Sequence, residues 1–208
     1  RCSSPTTWNA GNPRVCALED RDRPFLAAYP FATLVTPALQ VAAAPLRVAG
    51  DGLLEGHLAR ATGRRLGLSE GAPLLAIFQG PHGYISAQDY APEPAVPTWN
   101  TVRLEVQGTL TVLEDEAARR AALAAQLQAL EGSHAPAVSE ALITQLLPGI
   151  VVFCLGSLRV RRTFKLGQNK TPATQARLAE ALRGRGAEAL ATLTDGQGGD
   201  RDHWPPLP

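Results

Sequence analysis

The chain has no methionine, and of its 20 basic Lys and Arg residues only two, Lys165 and Lys170, are lysines. Its three cysteines, Cys2, Cys16 and Cys154, are odd in number and widely separated. They match neither a zinc-ligand spacing nor a disulfide framework, so free thiols in a reducing cytoplasm are expected. There is no run of about 20 apolar residues, which predicts no membrane-spanning helix. Residues 1–25 are too polar for a signal peptide, and a cytoplasmic location is the expectation. The formal net charge is only +1, without the basic stripe that a nucleic-acid partner usually requires. The dinucleotide GxGxxG turn, the phosphate loop, HExxH and paired CxxC are all missing, and so is a convincing helix-turn-helix. No nucleophile–base–acid ordering stands out as a triad.

What remains is an ordinary globular balance of 45% hydrophobic and 19% charged residues over 208 positions, enough to bury a core. The pattern predicts a single domain over residues 1–208. It has a helical C-terminal extension from about residue 171 and a disordered tail from about residue 196. Residues 17–29 read as a short helix limited by Pro24. Phe31–Thr36 and Leu39–Val48 read as strands, followed by a turn at Ala49-Gly50-Asp51-Gly52 and a strand over Leu53–Ala61. Residues 63–70 suggest a short helix or turn. The apolar run Pro73–Gln79 reads as a buried strand, interrupted at Gly80-Pro81-His82-Gly83 and resumed at Tyr84-Ile85-Ser86. A proline-rich loop over 91–97 leads to a long extended stretch, Thr98–Leu113, in which residues 102–107 alternate with period two. Helices are expected over Asp115–Glu131 and residues 136–147, then a strand over Ile150–Leu166. Thr171-Pro172 opens a last helix to about Arg183. Seven strands without βαβ alternation give a mainly β (α+β) fold with peripheral helices.

Three segments carry more polar chemistry than packing needs. In the first, Gly56–Arg60, strand geometry puts His57 and Ala59 on one face and Leu58 and Arg60 on the other. The Arg fork and a nearby helix start could hold an anion. An exposed strand with solvated charges fits the same pattern. The second is Phe78–Ser86, where Gln79, Gly80 and His82 lie beside an apolar run and could line a flat ligand. A tight turn explains it equally well. The third pairs Thr98-Trp99-Asn100 with Phe164–Lys170. A Trp beside amides, and a Lys beside Gln168-Asn169, suit an aromatic heterocycle bearing carbonyls. Both lysines of the chain fall in this last stretch, where a mobile point charge differs from a planar guanidinium.

Taken in order, Pro30–Thr36, Gly56–Arg60, Ala76–Ser86, Val96–Asn100, Gly149–Phe153 and Phe164–Lys170 resemble the PaiB-type, FMN-binding negative transcriptional regulators. The resemblance implies a split β-barrel of the FMN-binding type, related to pyridoxamine-phosphate-oxidase-like flavoproteins. It also implies a homodimer with FMN at the subunit interface. Carried over by position, His57, Leu58, Ala59, Arg60 and Thr62 would line the phosphate and ribityl side. Gln79, Gly80 and His82 would approach the ring or ribityl chain, and Thr98, Trp99 and Asn100 would shape the ring pocket. Lys165 and Gln168 would come from the partner subunit, with Lys165 favouring reduced, anionic flavin. The chain departs from the family pattern at Ala44, at Thr62-Gly63 and at Gly167. The family implies a negative regulator or flavin-dependent sensor. An FMN-dependent reductase or oxidase is the alternative, and a split-barrel dimer that has lost its flavin is a second. DNA binding is implied by the family name but not by charge or motif.

Overall fold

The computed structural model describes residues 15–50, 52–132 and 139–195. Seven strands run through them: β1 (Val15–Cys16), β2 (Phe31–Val35), β3 (Val41–Val48), β4 (Leu54–Ala59), β5 (Pro73–Ile85), β6 (Thr98–Val112) and β7 (Ile150–Lys165). The described helices are α1 (Arg23–Ala28), α2 (Arg60–Leu66), α3 (Glu116–Glu131), α4 (Glu140–Leu146), α5 (Pro172–Arg183) and α6 (Glu188–Asp195). The strands follow one another in the order β1-β7-β4-β3-β2-β5-β6, and a further β6–β7 pairing joins the ends. Six antiparallel strands thus close a barrel, with β1 added on β7. Closure removes the free edges that an open sheet would expose.

Side-chain alternation explains the strands. In β2, Ala32 and Leu34 point inward and are fully buried, while Phe31 and Thr33 face outward. In β6, Val102, Leu104 and Val106 are fully buried between polar neighbours. In β7, Val152, Phe153, Cys154 and Leu155 are all buried, so this stretch is covered on both faces and reads as a continuous apolar run.

By packing, the described chain forms two compact units: Val15–Phe78 with Glu105–Arg161, and Gln79–Leu104 with the residues from Arg162 onward. The core of the first centres on Phe25, Leu34, Leu46, Leu54, Phe78 and Phe153, all with exposures of 1% or less. The second is built around Ile85, Leu104, Leu166, Leu178 and Leu193, each fully buried. It contains α5 and α6. The expected tail from residue 196, like Cys2, lies outside the described residues.

Several expectations need correcting. The strand does not break at Gly80–Gly83: β5 runs unbroken from Pro73 to Ile85. Its pairing with β2 ends at Ala32↔Phe78, so Pro81 costs no hydrogen bond to β2. Gly83 is there for packing, since a Cβ would stand 3.0 Å from Leu190 of α6. The strand expected to continue to Ala61 stops at Ala59, and α2 begins at Arg60. The helix expected over 17–29 is α1 alone, with Pro24 in its first turn, preceded by a 3₁₀ turn and by the unforeseen β1. The hairpin turn after β3 is as expected, with the Ala49 N–H bonded to the Leu53 carbonyl at 2.8 Å.

Candidate functional site

The candidate residues fall into one group in each unit. In the first unit, β4 and α2 place His57, Leu58, Ala59, Arg60 and Thr62. Leu54, Gly56 and Leu58 face the core, so His57 turns outward beside Glu55. Arg60 is the first residue of α2 and no longer follows the strand's alternation. Its expected sharing of a face with Leu58 therefore does not hold. The start of α2 has no side-chain cap.

The polar partners here are specific. The Gln126 amide N–H donates to the Pro45 carbonyl at 2.7 Å, an oxygen that can only accept. The Gln126 oxygen therefore faces His57 Nδ1, 2.6 Å away, and Nδ1 must be the donor. His57 thus ties β4 to α3, and its Nε2 carries the remaining hydrogen-bonding capacity. Arg60 donates from Nε to the Pro148 carbonyl at 2.7 Å and from Nη2 to the Ile150 carbonyl at 3.0 Å. A guanidinium has five N–H donors, so three stay available. A Cβ at Gly63 would lie 2.7 Å from Val151 of β7. The glycine lets α2 pack closely on β7. Arg60 and Arg64, with Glu70, Glu114 and Val151, line an open cavity of about 390 Å³. Sequence reasoning missed Gln126. Its signal was an amide in an otherwise Ala/Leu-rich stretch of α3.

In the second unit, β5 and β6 bring Gln79, Gly80, His82, Thr98, Trp99 and Asn100 together. The Gln79 amide donates to the Gly80 carbonyl (3.1 Å), the Thr101 hydroxyl (3.0 Å) and the Val102 carbonyl (3.1 Å). The Trp99 indole N–H donates to His82 Nδ1 at 3.1 Å, and the rings stack with centroids 5.9 Å apart. His82 therefore holds an accepting Nδ1 and presents Nε2 outward. Tyr84 joins them at 6.2 Å, although Trp99 is 52% and Tyr84 50% exposed. Asn100 is the opposite case. It is 1% exposed, yet its side-chain Nδ2 has no hydrogen-bond partner.

The end of β7 adds Lys165, whose ammonium bonds the Thr98 hydroxyl and retains two N–H donors. Gln168 accepts from the Leu166 N–H at 2.9 Å and donates to the Phe164 carbonyl at 3.0 Å, so it holds the turn after β7. Gly167 in that turn has φ +77, a left-handed value that glycine adopts freely. Lys170 sits 5.0 Å over the Tyr90 ring, so the two lysines have separate contacts. Burial, with Asp89 nearby, raises the Tyr90 phenol above its ordinary value. Glu93, in the loop before β6, is held below the ordinary carboxylate value by hydrogen bonds from Thr174 and Arg177 of α5. Among the described residues, no cluster of three or more His, Cys, Asp or Glu could hold a metal. No described helix is long and apolar enough to cross a membrane.

A family model described as "Putative FMN-binding domain" matches residues 16–157, more than half of the chain. The chain belongs to this family. FMN is the cofactor that membership in the FMN-binding family assigns to it. The match includes every candidate residue up to Asn100 and stops before Lys165 and Gln168. Over 116 residues the chain is 34% identical to the protease synthase and sporulation protein PAI 2 of Bacillus subtilis (strain 168). That alignment covers 53% of this chain and 55% of the relative, so the chain spans about half the length of the curated relative it matches. The expected PaiB-type membership therefore holds. Two solved structures share the fold. One is the flavocytochrome Anf3 from Azotobacter vinelandii, with TM-score 0.53, 16% identity, and coverage of 73% of this chain and 70% of that one. The other is the FAD and heme binding protein from Mycobacterium smegmatis, with TM-score 0.52, 18% identity, and coverage of 71% and 72%. At these identities the likeness concerns the split-barrel fold alone.

Proposed function

We propose that this FMN-binding family member is a homodimer that works as a flavin-dependent sensor or negative regulator. The observation that carries the flavin part is Asn100. A buried amide N–H without a partner costs about 1–3 kcal/mol. Within an FMN-binding domain, a flavin carbonyl or ring nitrogen is the acceptor that would satisfy it. Each unit, taken by itself, offers chemistry that suits the group. Trp99 and His82 offer flat walls, Lys165 has two free donors, and Arg60 has three for a phosphate, joined by the Thr62 hydroxyl. His57 keeps only Nε2 for a ligand, Leu58 and Ala59 bring apolar contact and main chain, and Gln79 with Gly80 fixes the backbone beside His82. Gln168 orders the turn that carries Lys165.

FMN would supply one- and two-electron redox chemistry when bound. The protein's part is to bind it, orient it and bias its charge. A Lys165 ammonium at the ring's N1/O2 edge would favour the anionic reduced form. In the homodimer each flavin has two copies of both residue groups to draw on, and the family resemblance assigns Lys165 and Gln168 to the partner subunit. The regulatory reading follows the Bacillus relative, named for protease synthesis and sporulation. With a net charge of +1 and no DNA-reading motif, the flavin and its redox state, rather than direct contact with bases, would carry the signal.

Fluorescence titration with FMN tests this. Arg60→Ala and Lys165→Ala should each weaken binding about tenfold or more, the loss of one charge-assisted contact. Asn100→Leu should also weaken FMN binding, yet leave the flavin-free protein as stable as the wild type or up to about 1–3 kcal/mol more stable. A purified protein without oxidised-flavin absorption after FMN loading, or three variants with wild-type affinity, would refute the assignment.

A further inference from the structure

Helix α3 lies outside the segments that carry the family resemblance, yet one of its faces is spent on the first candidate group. Arg119, Ala122 and Gln126 recur at helical spacing, and Ala122 and Gln126 are buried. Gln126 holds His57 and the Pro45 carbonyl. Arg119, two turns earlier, donates from Nη2 to the Leu147 carbonyl and reaches the Ile150 carbonyl at 3.4 Å. The Ile150 oxygen is the one that Arg60 Nη2 bonds at 3.0 Å. Two guanidiniums from different helices thus converge on a single backbone oxygen. Among the described residues neither pairs with a carboxylate, whereas Arg47, Arg161, Arg177 and Arg185 each meet one. Like charges held side by side repel, and neutral carbonyls do not cancel the charge. Each guanidinium also keeps three N–H donors, those of Arg119 being on Nε and Nη1.

We propose that Arg119 is the second guanidinium of the phosphate site, and that with Arg60 it makes the protein select FMN over a flavin without phosphate. The inference rests on the reading that Arg60 takes the FMN phosphate, and adds a residue to that site. A phosphate monoester carries nearly two negative charges at neutral pH, so one arginine answers only half of it. Two forks of donors match its oxygens in number and geometry. The shared carbonyl holds both side chains before the ligand arrives, which reduces the ordering cost of binding. A ligand with a single negative charge would leave one of the two cations unanswered.

The test is titration of the full-length protein with FMN and with riboflavin, read by flavin fluorescence. The wild type should prefer FMN about a hundredfold, about tenfold for each guanidinium. Arg119→Gln should narrow that preference about tenfold. A loss of folded protein weakens both ligands alike, so it leaves the ratio unchanged. The double variant Arg60→Ala/Arg119→Gln should lose the preference altogether. At constant ionic strength, inorganic phosphate should compete with FMN. An Arg119→Gln protein with the wild-type preference, beside an Arg60→Ala protein that has lost part of it, would overturn the role of Arg119 and leave that of Arg60 standing. A double variant no worse than Arg60→Ala would also overturn it, since Arg119 would then act only through Arg60. Phosphate that binds without displacing FMN would place the anion of the two arginines apart from the flavin, and overturn it too. A wild type without preference, or an Arg60→Ala protein that keeps it in full, would instead overturn the phosphate reading of Arg60 itself.

Discussion

At the scale of single residues, polar capacity separates those that build the fold from those left to bind. Gln168 and Gln79 looked alike in sequence as amides beside a ligand, yet both spend their donors on neighbouring backbone. His57 likewise commits Nδ1 to Gln126. Asn100 keeps an unspent, buried donor, and Lys165 keeps two. Which amide would be satisfied was illegible in the sequence, because it depends on carbonyls brought close by pairing between distant strands. Glycine shows the same logic in packing. A Cβ at Gly56 would stand 2.3 Å from the Leu46 side chain and 3.1 Å from the Pro45 carbonyl. Gly56→Ala should therefore destabilise the protein by about 1–3 kcal/mol through overpacking. A urea midpoint equal to that of the wild type would contradict this.

At the scale of elements, α5 is anchored by side chains that answer a loop far away in sequence. The Thr171 hydroxyl caps its N-terminus by accepting the Thr174 N–H at 3.2 Å. Thr174 and Arg177 then donate to Glu93, the Arg177 bond being 2.9 Å. These bonds depress the Glu93 pKa below its ordinary 4.5, Thr174 being the largest cause. A carboxylate with a lowered folded pKa stabilises the fold above its unfolded pKa, and that contribution is lost as the pH falls through the folded value. Wild type should accordingly exceed Glu93→Gln in stability by a constant margin near neutral pH. Below pH 4.5 the margin should shrink. Urea unfolding of both proteins across that range checks it, and a margin that grows on acidification would have the wrong sign. The helix signals at Thr171-Pro172 were plain in the sequence because capping is local. The Glu93 contact was not, since it joins residues 81 and 84 positions apart.

At the scale of the whole molecule, stability and ligand binding are linked. A ligand that binds only the folded protein raises its stability according to its concentration. FMN at a hundredfold excess over its dissociation constant should add about 2.7 kcal/mol. Thermal melts with increasing FMN should shift upward in proportion to the logarithm of its concentration. Riboflavin, lacking the phosphate, should shift them less if Arg60 holds that group. Equal shifts with both ligands would remove Arg60 from the phosphate site.

The sequence by itself determined the strand inventory, the capped helices and the family, because alternation, turn residues and motif order are local or linear features. It named the segments that fold into the two groups of candidate residues. It misread β5 at Gly80–Gly83 and Arg60 as part of a strand. Gly and Pro ordinarily punctuate strands, and the end of an alternating run gives no sign of its own. Only the tertiary structure decided how the barrel closes through β6 and β7, and which polar groups stay unpaired. Each of these is set by hydrogen bonds and contacts between strands distant in the chain, and residue order alone does not encode their geometry.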